Sequence, residues 1–443
     1  MRKINILVIG LMLAISACST DLDQLPSNIP EADSLTDFEG VLNSAYNYQT
    51  GSATPLGVMG DFRADNAQFD ESPHNSFASF NGDVLSMEGD FFQPFYASLY
   101  KSILSANIVI EKSSDNIHIG EAKFLRGLAY FKLVKVFGDV AINLSAEPST
   151  TDTSILKRQP AADVYSQIIS DLMDAKDALS NSGLSTGRAS SIAAQGLLGK
   201  VYMQMGDFVN AAPHLAAVVN GADAAGLELM PNFADVFGPG SDLNKEIIFA
   251  TQISGSIAIS DYSGSTFTLW SNGGDTKSNE DPITADLAAA FDNAGDVIRK
   301  NATISVPPLS TYRVGVKYGS AAADQDFIEL RLADVILLYA EALNENTNTP
   351  AARALALIEL NKVRTRAGLI NAVAASQQEL RIAIANERRL EFALEGQRWF
   401  DLVRTGTVDA EMGKTINSNY YVFPVPTSEI FASEGVITQN TGY

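Results

Sequence analysis

The chain has 443 residues, of which 52 are acidic and 31 are Lys or Arg, and its formal net charge is -21. This acidity argues against nucleic acid and anionic lipid as partners, because both require Lys and Arg to neutralise phosphate. The hydrophobic content of 46% predicts a well-filled core, and the single cysteine excludes a disulfide within the chain.

The first 18 residues have the pattern of a bacterial lipoprotein signal. Arg2 and Lys3 precede a short apolar run that ends in Ser16-Ala17-Cys18. That run is shorter than the roughly 20 residues that a membrane-spanning helix needs. We therefore expect residues 1–17 to be cleaved as a signal peptide and Cys18 to carry a lipid anchor. Loss of the charges of Arg2 and Lys3 then changes the net charge from -21 to -23.

The polar residues 18–35 contain two prolines and are predicted to form a tether. One domain is expected over residues 36–443, and it begins with capping-box spacing between Thr36 and Glu39. Hydrophobic periodicity then predicts helices over residues 121–137, 161–179, 192–205, 211–219, 331–344, 351–367 and 380–403.

An internal repeat lies behind the helical pattern. The segment LGKVYMQMGDFVNA at 198–211 has small and large residues at the spacing of a tetratricopeptide repeat, which is a pair of closely packed helices. A less complete copy begins with YAEAL at 339–343 and includes Ala352. Such repeats stack into scaffolds that present surfaces to partners.

Two stretches interrupt the helical pattern. Residues 51–90 are rich in Gly and contain Phe62, Phe69, Phe77 and Phe80, and residues 254–282 are rich in Ser, Gly and Asn. Long loops in a compact chain are frequently functional, so both stretches are predicted to be near a ligand site.

No motif for catalysis, metal binding or a cofactor is recognisable in the chain. His74, His118 and His214 lack partners at the spacing of metal ligands, and the sequence has no HExxH, GxSxG or phosphate-binding glycine loop. Glu387, Glu391 and Glu395 are four residues apart on the predicted helix 380–403. Two of them could act as a glycosidase pair, but an ion-pair network with Arg388, Arg389, Arg398 and Arg404 is the favoured interpretation.

Trp270 is the most informative aromatic residue, because it lies in a polar loop beside Asn272 and Asp275. An indole face covers the C–H face of a sugar ring, while nearby amide and carboxylate groups bond its hydroxyls. The alternative is that Trp270 folds back and fixes its own loop. Trp399, the second tryptophan, is expected to pack in the core.

The chain resembles the SusD/RagB family of outer-membrane, glycan-binding lipoproteins of Bacteroidetes. The resemblance is carried, in family order, by CSTDLDQLPS at 18–27, EAKFLRGLAY at 121–130, FGDV at 137–140, GDVIR at 295–299, RLAD at 331–334, YAEALN at 339–344, ERR at 387–389 and RWFDL at 398–402. It implies a mostly α-helical, SusD-like fold in which about four tetratricopeptide-like helix pairs support an irregular, loop-rich lobe.

The resemblance also implies a function, a location and a partner. It implies a lipid-anchored protein of the outer cell surface that binds a glycan without catalysis or cofactor and passes it to a SusC-like TonB-dependent transporter. Asp21 and Asp23 resemble the surface-export signal, although Leu22 interrupts the pair. The alternative within the family is a RagB-like subunit that binds peptides.

Site residues are carried over by position. The segment Arg63-Ala64-Asp65-Asn66 matches a segment near the ligand site, and the aromatic residues of 77–80 and 262–270 fall where aromatic platforms lie in the family. The expected ligand-binding residues are thus Asp65, Asn66, Phe77, Phe80, Tyr262, Trp270 and Asn272. The net charge favours a neutral oligosaccharide as ligand.

Overall fold

The computed structural model describes residues 36–149, 151–238, 240–254, 268, 270, 281–319 and 325–443. Residues Phe38–Tyr443 form one compact unit. The predicted signal peptide, tether and lipidation site at Cys18 lie outside the described residues.

Helices dominate the described part of the chain. They are α1 Phe38–Tyr48, α2 Ala53–Asp61, α3 Gln93–Lys112, α4 Asn116–Phe137, α5 Ala161–Ala178, α6 Ser191–Gln204, α7 Phe208–Gly221, α8 Ala285–Ala294, α9 Val297–Thr303, α10 Leu332–Asn346, α11 Pro350–Arg366, α12 Gln377–Glu391, α13 Arg398–Thr405, α14 Val408–Met412 and α15 Thr427–Ala432. The strands are β1 Val140–Ala141, β2 Arg158–Gln159, β3 Ile247–Thr251, β4 Ile304–Ser305, β5 Val314–Gly315 and β6 Phe327–Arg331.

Four helix pairs stack in chain order and confirm the predicted scaffold. The pairs are α1 with α3, α4 with α5, α6 with α7, and α10 with α11. Adjacent pairs are joined by packing of α3 on α4, α5 on α6, and α7 on α10. A continuous core therefore runs through the stack, as in other helical repeats.

The predicted repeat at 198–211 is a helix pair whose spacing depends on glycine. A Cβ added at Gly199 would lie 2.4 Å from Cδ2 of Leu215 on the facing helix, so only glycine permits this approach. Gly206 has φ of +73° in the turn between α6 and α7. Tyr202 stacks on His214 of α7 with ring centroids 5.6 Å apart.

The strands form three two-stranded antiparallel sheets, β1 with β2, β3 with β6, and β4 with β5. The longest is β3–β6, in which Ala250 pairs with Ile328 and Thr251 with Phe327. All five residues of β3 are buried. This sheet carries the chain from the helical stack into the loop-rich lobe.

Two predictions about regular structure were wrong. The stretch 51–90 was predicted to be loop, yet it contains α2 and several short 3-10 turns. The helix predicted over 380–403 is two helices, α12 and α13, separated at 392–397. Leu394 and Gly396 have positive φ there, and the backbone N–H groups of both donate to the buried Asp61 carboxylate.

Candidate ligand-binding site around Trp270

The two irregular stretches predicted to carry the site are neighbours in the structure. Ala67 and Ile283 form an isolated antiparallel bridge, and the backbone N–H of Gln68 donates to the carbonyl of Pro282 at 2.8 Å. The hydroxyl of Thr284 donates to the carbonyl of Asp65 at 2.6 Å. Residues 65–70 and 281–284 are therefore held side by side.

Trp270 packs against two aromatic residues of the first stretch and against Phe91, just beyond it. Its ring centroid lies 5.4 Å from that of Phe69, 5.1 Å from that of His74 and 5.6 Å from that of Phe91. We call Phe69, His74, Phe77, Phe91 and Trp270 the aromatic cluster. Phe77 and Phe91 are fully buried at its base, whereas Trp270 is partly exposed. The rings meet edge-on or tilted, which is the favoured arrangement for aromatic pairs.

His74 gives Trp270 an uncharged support. Burial lowers the pKa of His74, and Asp90, whose carboxylate is 3.7 Å from Nε2, opposes that shift only in part. The imidazole is therefore neutral at pH 7 and packs as a flat ring. His74 and Phe91 were not predicted as site residues; Phe91 lies one position beyond the stretch 51–90, and nothing in the sequence placed His74 beside Trp270.

Three of the expected ligand-binding residues have structural partners instead. Phe77 is 1% exposed, so its ring cannot stack on a ligand in this structure. Asn66 is buried and donates to Asp61 at 3.0 Å while accepting from Arg389. Asp65 accepts two hydrogen bonds of 2.7 Å from Arg398. Burial in this structure argues against direct ligand contact by Phe77 and Asn66, whereas for the half-buried, ion-paired Asp65 a ligand role stays a prediction from the sequence.

Phe80 lies in a different group of side chains. Its ring is flanked by the guanidinium of Arg63 at 4.2 Å and the ammonium of Lys414 at 4.5 Å, and Trp399 is 5.6 Å away. Phe80 has φ of +51°, which is an uncommon conformation for a bulky residue. Trp399 is fully buried, as expected.

Tyr262, Asn272 and Cys18 lie outside the described residues. Their proposed roles in ligand binding and lipidation therefore stay predictions from the sequence. Of the expected platform residues that the structure describes, Trp270 is the one in the aromatic cluster that is partly exposed.

The glutamates considered for catalysis belong to a buried ion-pair network, as the favoured interpretation predicted, but with other partners. Glu387 pairs with Arg299 and Arg364, Glu391 with Arg299, Arg331 and Arg366, and Glu395 with Lys317 and Arg331. Burial would raise the pKa of Glu391, but the three arginines outweigh it and hold that pKa well below its ordinary value. Glu391 thus stays ionised, unlike a general acid.

The predicted arginine partners of these glutamates pair elsewhere. Arg388 binds Asp334 and Asp401, Arg389 binds Asp65 and Asp286, Arg398 binds Asp65 and Glu411, and Arg404 binds Asp401 and Glu341. These pairs connect α12 and α13 to the helical stack and to the segment at 65–66. They fix the base of the loop-rich lobe.

Among the described residues there is no cluster of His, Cys, Asp or Glu arranged to hold a metal ion. Within the same part of the chain, no helix is long and apolar enough to cross a membrane.

Two family models together match most of the chain. The model described as "SusD family" matches residues 292–443, and the one described as "Starch-binding associating with outer membrane" matches residues 19–203. The chain belongs to the SusD/RagB family.

Relatives of the family match along nearly the whole chain. The SusD-like protein P2 of Formosa agariphila is 26% identical, with 100% of both chains covered. A SusD-like protein of Bacteroides ovatus is 27% identical over 90% of this chain and 82% of its own length.

Solved structures confirm the SusD-like fold. A laminarin-binding SusD-like protein superposes with a TM-score of 0.75 at 24% identity, covering 92% of this chain and 99% of its own. A SusD superfamily protein of Parabacteroides distasonis superposes with a TM-score of 0.77 at 20% identity, covering 95% of this chain and 100% of its own. The mostly α-helical, SusD-like architecture predicted from the sequence is confirmed.

Proposed function

We propose that this SusD/RagB family member is a non-catalytic, cell-surface lipoprotein that captures a neutral oligo- or polysaccharide. The observation that carries the proposal is the partly exposed Trp270, supported on an aromatic cluster where the two loop-rich stretches meet. An indole held in place by its neighbours is a pre-formed platform for a sugar ring. Binding therefore costs little conformational entropy of this side chain. The starch-binding description of one family model and the laminarin-binding structural relative support the ligand class.

A neutral ligand is favoured by charge. The chain carries a formal net charge of -21, and no metal-binding cluster among the described residues supplies a compensating cation. A uronate or sulfated glycan would be repelled over the long range. A few stacking contacts with sugar rings and hydrogen bonds to sugar hydroxyls imply a Kd between about 1 μM and 1 mM.

Titration of a Trp270 variant tests the site. The probes are laminarihexaose and maltohexaose, measured by calorimetry with wild type, Trp270→Ala and Trp270→Leu. Removing the indole should weaken binding about tenfold to a hundredfold, as truncation of an aromatic hot spot does. Trp270→Leu keeps apolar volume against Phe69 and His74, so its melting temperature should stay close to that of wild type.

Phe431→Ala is the matched control, since this aromatic side chain is 80% exposed on α15 and lies outside the aromatic cluster. It should leave both affinity and stability unchanged. Affinity that is the same in wild type and Trp270→Leu would exclude Trp270 from the site.

Delivery to a SusC-like TonB-dependent transporter is the second part of the proposal. It is supported by family membership and by a stacked-helix scaffold of the kind that presents surfaces to proteins. Pull-down from native outer membranes in mild detergent should recover a large β-barrel transporter, and Cys18→Ala should abolish both surface display and co-purification. Recovery of the wild-type lipoprotein alone in repeated pull-downs would contradict the partnership.

A further inference from the structure

A pocket lies beside the helical stack, where residues of α1 meet β3 and the segment 186–188. Its volume is about 570 Å³, and its walls include Tyr46, Asn47, Arg188, Phe249, Gln252 and Asp326. That size is within the range of sites for small molecules, about 300–1,000 Å³. None of its lining residues belongs to the aromatic cluster.

The wall formed by Tyr46 and Arg188 is rigid. The Tyr46 hydroxyl donates to Glu121 at 2.5 Å and accepts from the backbone N–H of Ala189 at 2.9 Å. Arg188 Nε donates to the same Glu121 at 2.7 Å, and its guanidinium lies 5.1 Å from the Tyr46 ring centroid. Nη1 of Arg188 also donates to Glu39 at 2.8 Å. These bonds hold the aromatic wall in place before any ligand arrives.

The pocket lining also includes two amides with unused bonding capacity, those of Asn47 and Gln252. The Asn47 side chain makes no hydrogen bond with any described residue and is partly exposed. Gln252 is exposed, and its amide nitrogen donates to the Thr186 carbonyl at 3.3 Å, which leaves its side-chain oxygen available. An amide both donates and accepts, as does a sugar hydroxyl.

Glycine at position 187 makes room for Gln252. A Cβ added at Gly187 would lie 1.7 Å from the Gln252 amide nitrogen, and Gly187 has φ of +70°. Any other residue would displace this amide from the pocket wall. Both the positive φ at position 187 and the nearby Gln252 amide therefore favour glycine there.

The charges at the pocket disfavour an anionic ligand. Glu39 and Glu121 neutralise Arg188, and Asp326 adds a third carboxylate. Even with a protonated His118, whose Nε2 is 2.9 Å from Glu39, carboxylates outnumber cations. An uncharged ligand with hydroxyl groups and an apolar face fits this combination of amides and aromatic rings.

We infer that the pocket lined by Tyr46, Asn47 and Gln252 is a second saccharide site, which binds one short, uncharged unit of a glycan independently of Trp270. The inference rests on the proposed glycan function for its ligand class. Two sites on one lipoprotein raise the effective concentration of a long glycan at the surface, because the second contact becomes intramolecular.

The test is a calorimetric titration with maltotriose and laminaritriose, probes short enough to occupy one site each. Wild type should bind two equivalents of at least one probe. The double variant Asn47→Ala with Gln252→Ala should lose one equivalent, its affinity falling about tenfold or more as two hydrogen-bonding groups are removed. Trp270→Leu should lose the other equivalent. Asn301→Ala, an exposed asparagine on α9 that does not line the pocket, should behave as wild type.

The results that would contradict the second site can be told apart from those that would contradict the proposed function. One equivalent that is unaffected by the double variant would overturn the second site and leave the proposed function standing. Binding of neither trisaccharide, nor of the hexasaccharides, would overturn the proposed function and the inference together. Binding of N-acetyl-tetra-alanine amide that is lost in the double variant would assign the pocket to peptide and overturn the saccharide inference. Thermal melts of each variant confirm folding.

Discussion

At the scale of single residues, the most consequential group is Glu391, which is fully buried between three arginines. Its carboxylate accepts from Arg299 at 2.7 Å, from Arg331 at 2.6 Å and from Arg366. Such a cluster offsets the desolvation of its charges only while it is complete. Removing the charge of Glu391 leaves the three buried arginines only partly compensated by their remaining carboxylate partners.

Glu391→Gln should therefore lower the free energy of unfolding by about 3–5 kcal/mol, because three buried arginines lose their shared counter-ion. The measurement is urea unfolding followed by circular dichroism. Glu228→Gln is the matched control, since its pair with Lys245 has side chains 53% and 63% exposed. It should cost less than about 1 kcal/mol. Equal effects of the two changes would contradict the proposed structural role of the network.

The sequence predicted correctly that these glutamates form ion pairs but assigned them the wrong partners. Charges interleaved with apolar residues on one helix indicate pairing, but the partners of Glu391, which are Arg299, Arg331 and Arg366, lie elsewhere along the chain. Local spacing predicted an ion pair between Arg398 and Glu395. In the structure Arg398 pairs with Asp65 instead. Ion-pair partners are set by the tertiary fold, which the periodicity of the sequence does not specify.

At the scale of elements, strongly periodic helices were predictable. The apolar spacing of Val164, Ile168, Leu172, Ala175 and Leu179 predicts one buried stripe, and the first four are buried on α5 while Leu179, at its C-terminal cap, is half-buried. The break between α12 and α13 was not predictable, because it depends on a distant group. Asp61 of α2 accepts from the backbone N–H of Gly396 at 2.6 Å and stabilises the turn.

Close packing of Gly60 on Gly396 makes this break sensitive to added volume. A Cβ at Gly60 would lie 2.0 Å from the Gly396 carbonyl oxygen, so Gly60→Ala must displace backbone. We expect a loss of about 3 kcal/mol or more in the free energy of unfolding. Gly221→Ala, at the end of α7 with open space around it, should be neutral or stabilise by about 0.5–1 kcal/mol. Equal stability of the two variants would show that the α2–α13 junction is loosely packed.

At the scale of the whole molecule, the helix pairs were more predictable than the loop-rich lobe. The scaffold was predictable from periodicity and repeat spacing, and the resemblance supplied the family. The site was predictable only in outline: the two irregular stretches do meet, but the sequence did not show that Phe77 would be buried or that His74 and Phe91 would support Trp270. Loop side chains lack a period that separates a buried face from an exposed one.

The central claim is that this protein binds a neutral glycan. The most direct measurement is a combined glycan and peptide array probed with the mature protein purified from membranes in mild detergent. We predict binding to neutral oligosaccharides with Kd values between about 1 μM and 1 mM, and none to uronate, sulfated or peptide ligands. Binding to peptides with no signal from any neutral glycan would contradict the claim and favour a peptide-binding subunit.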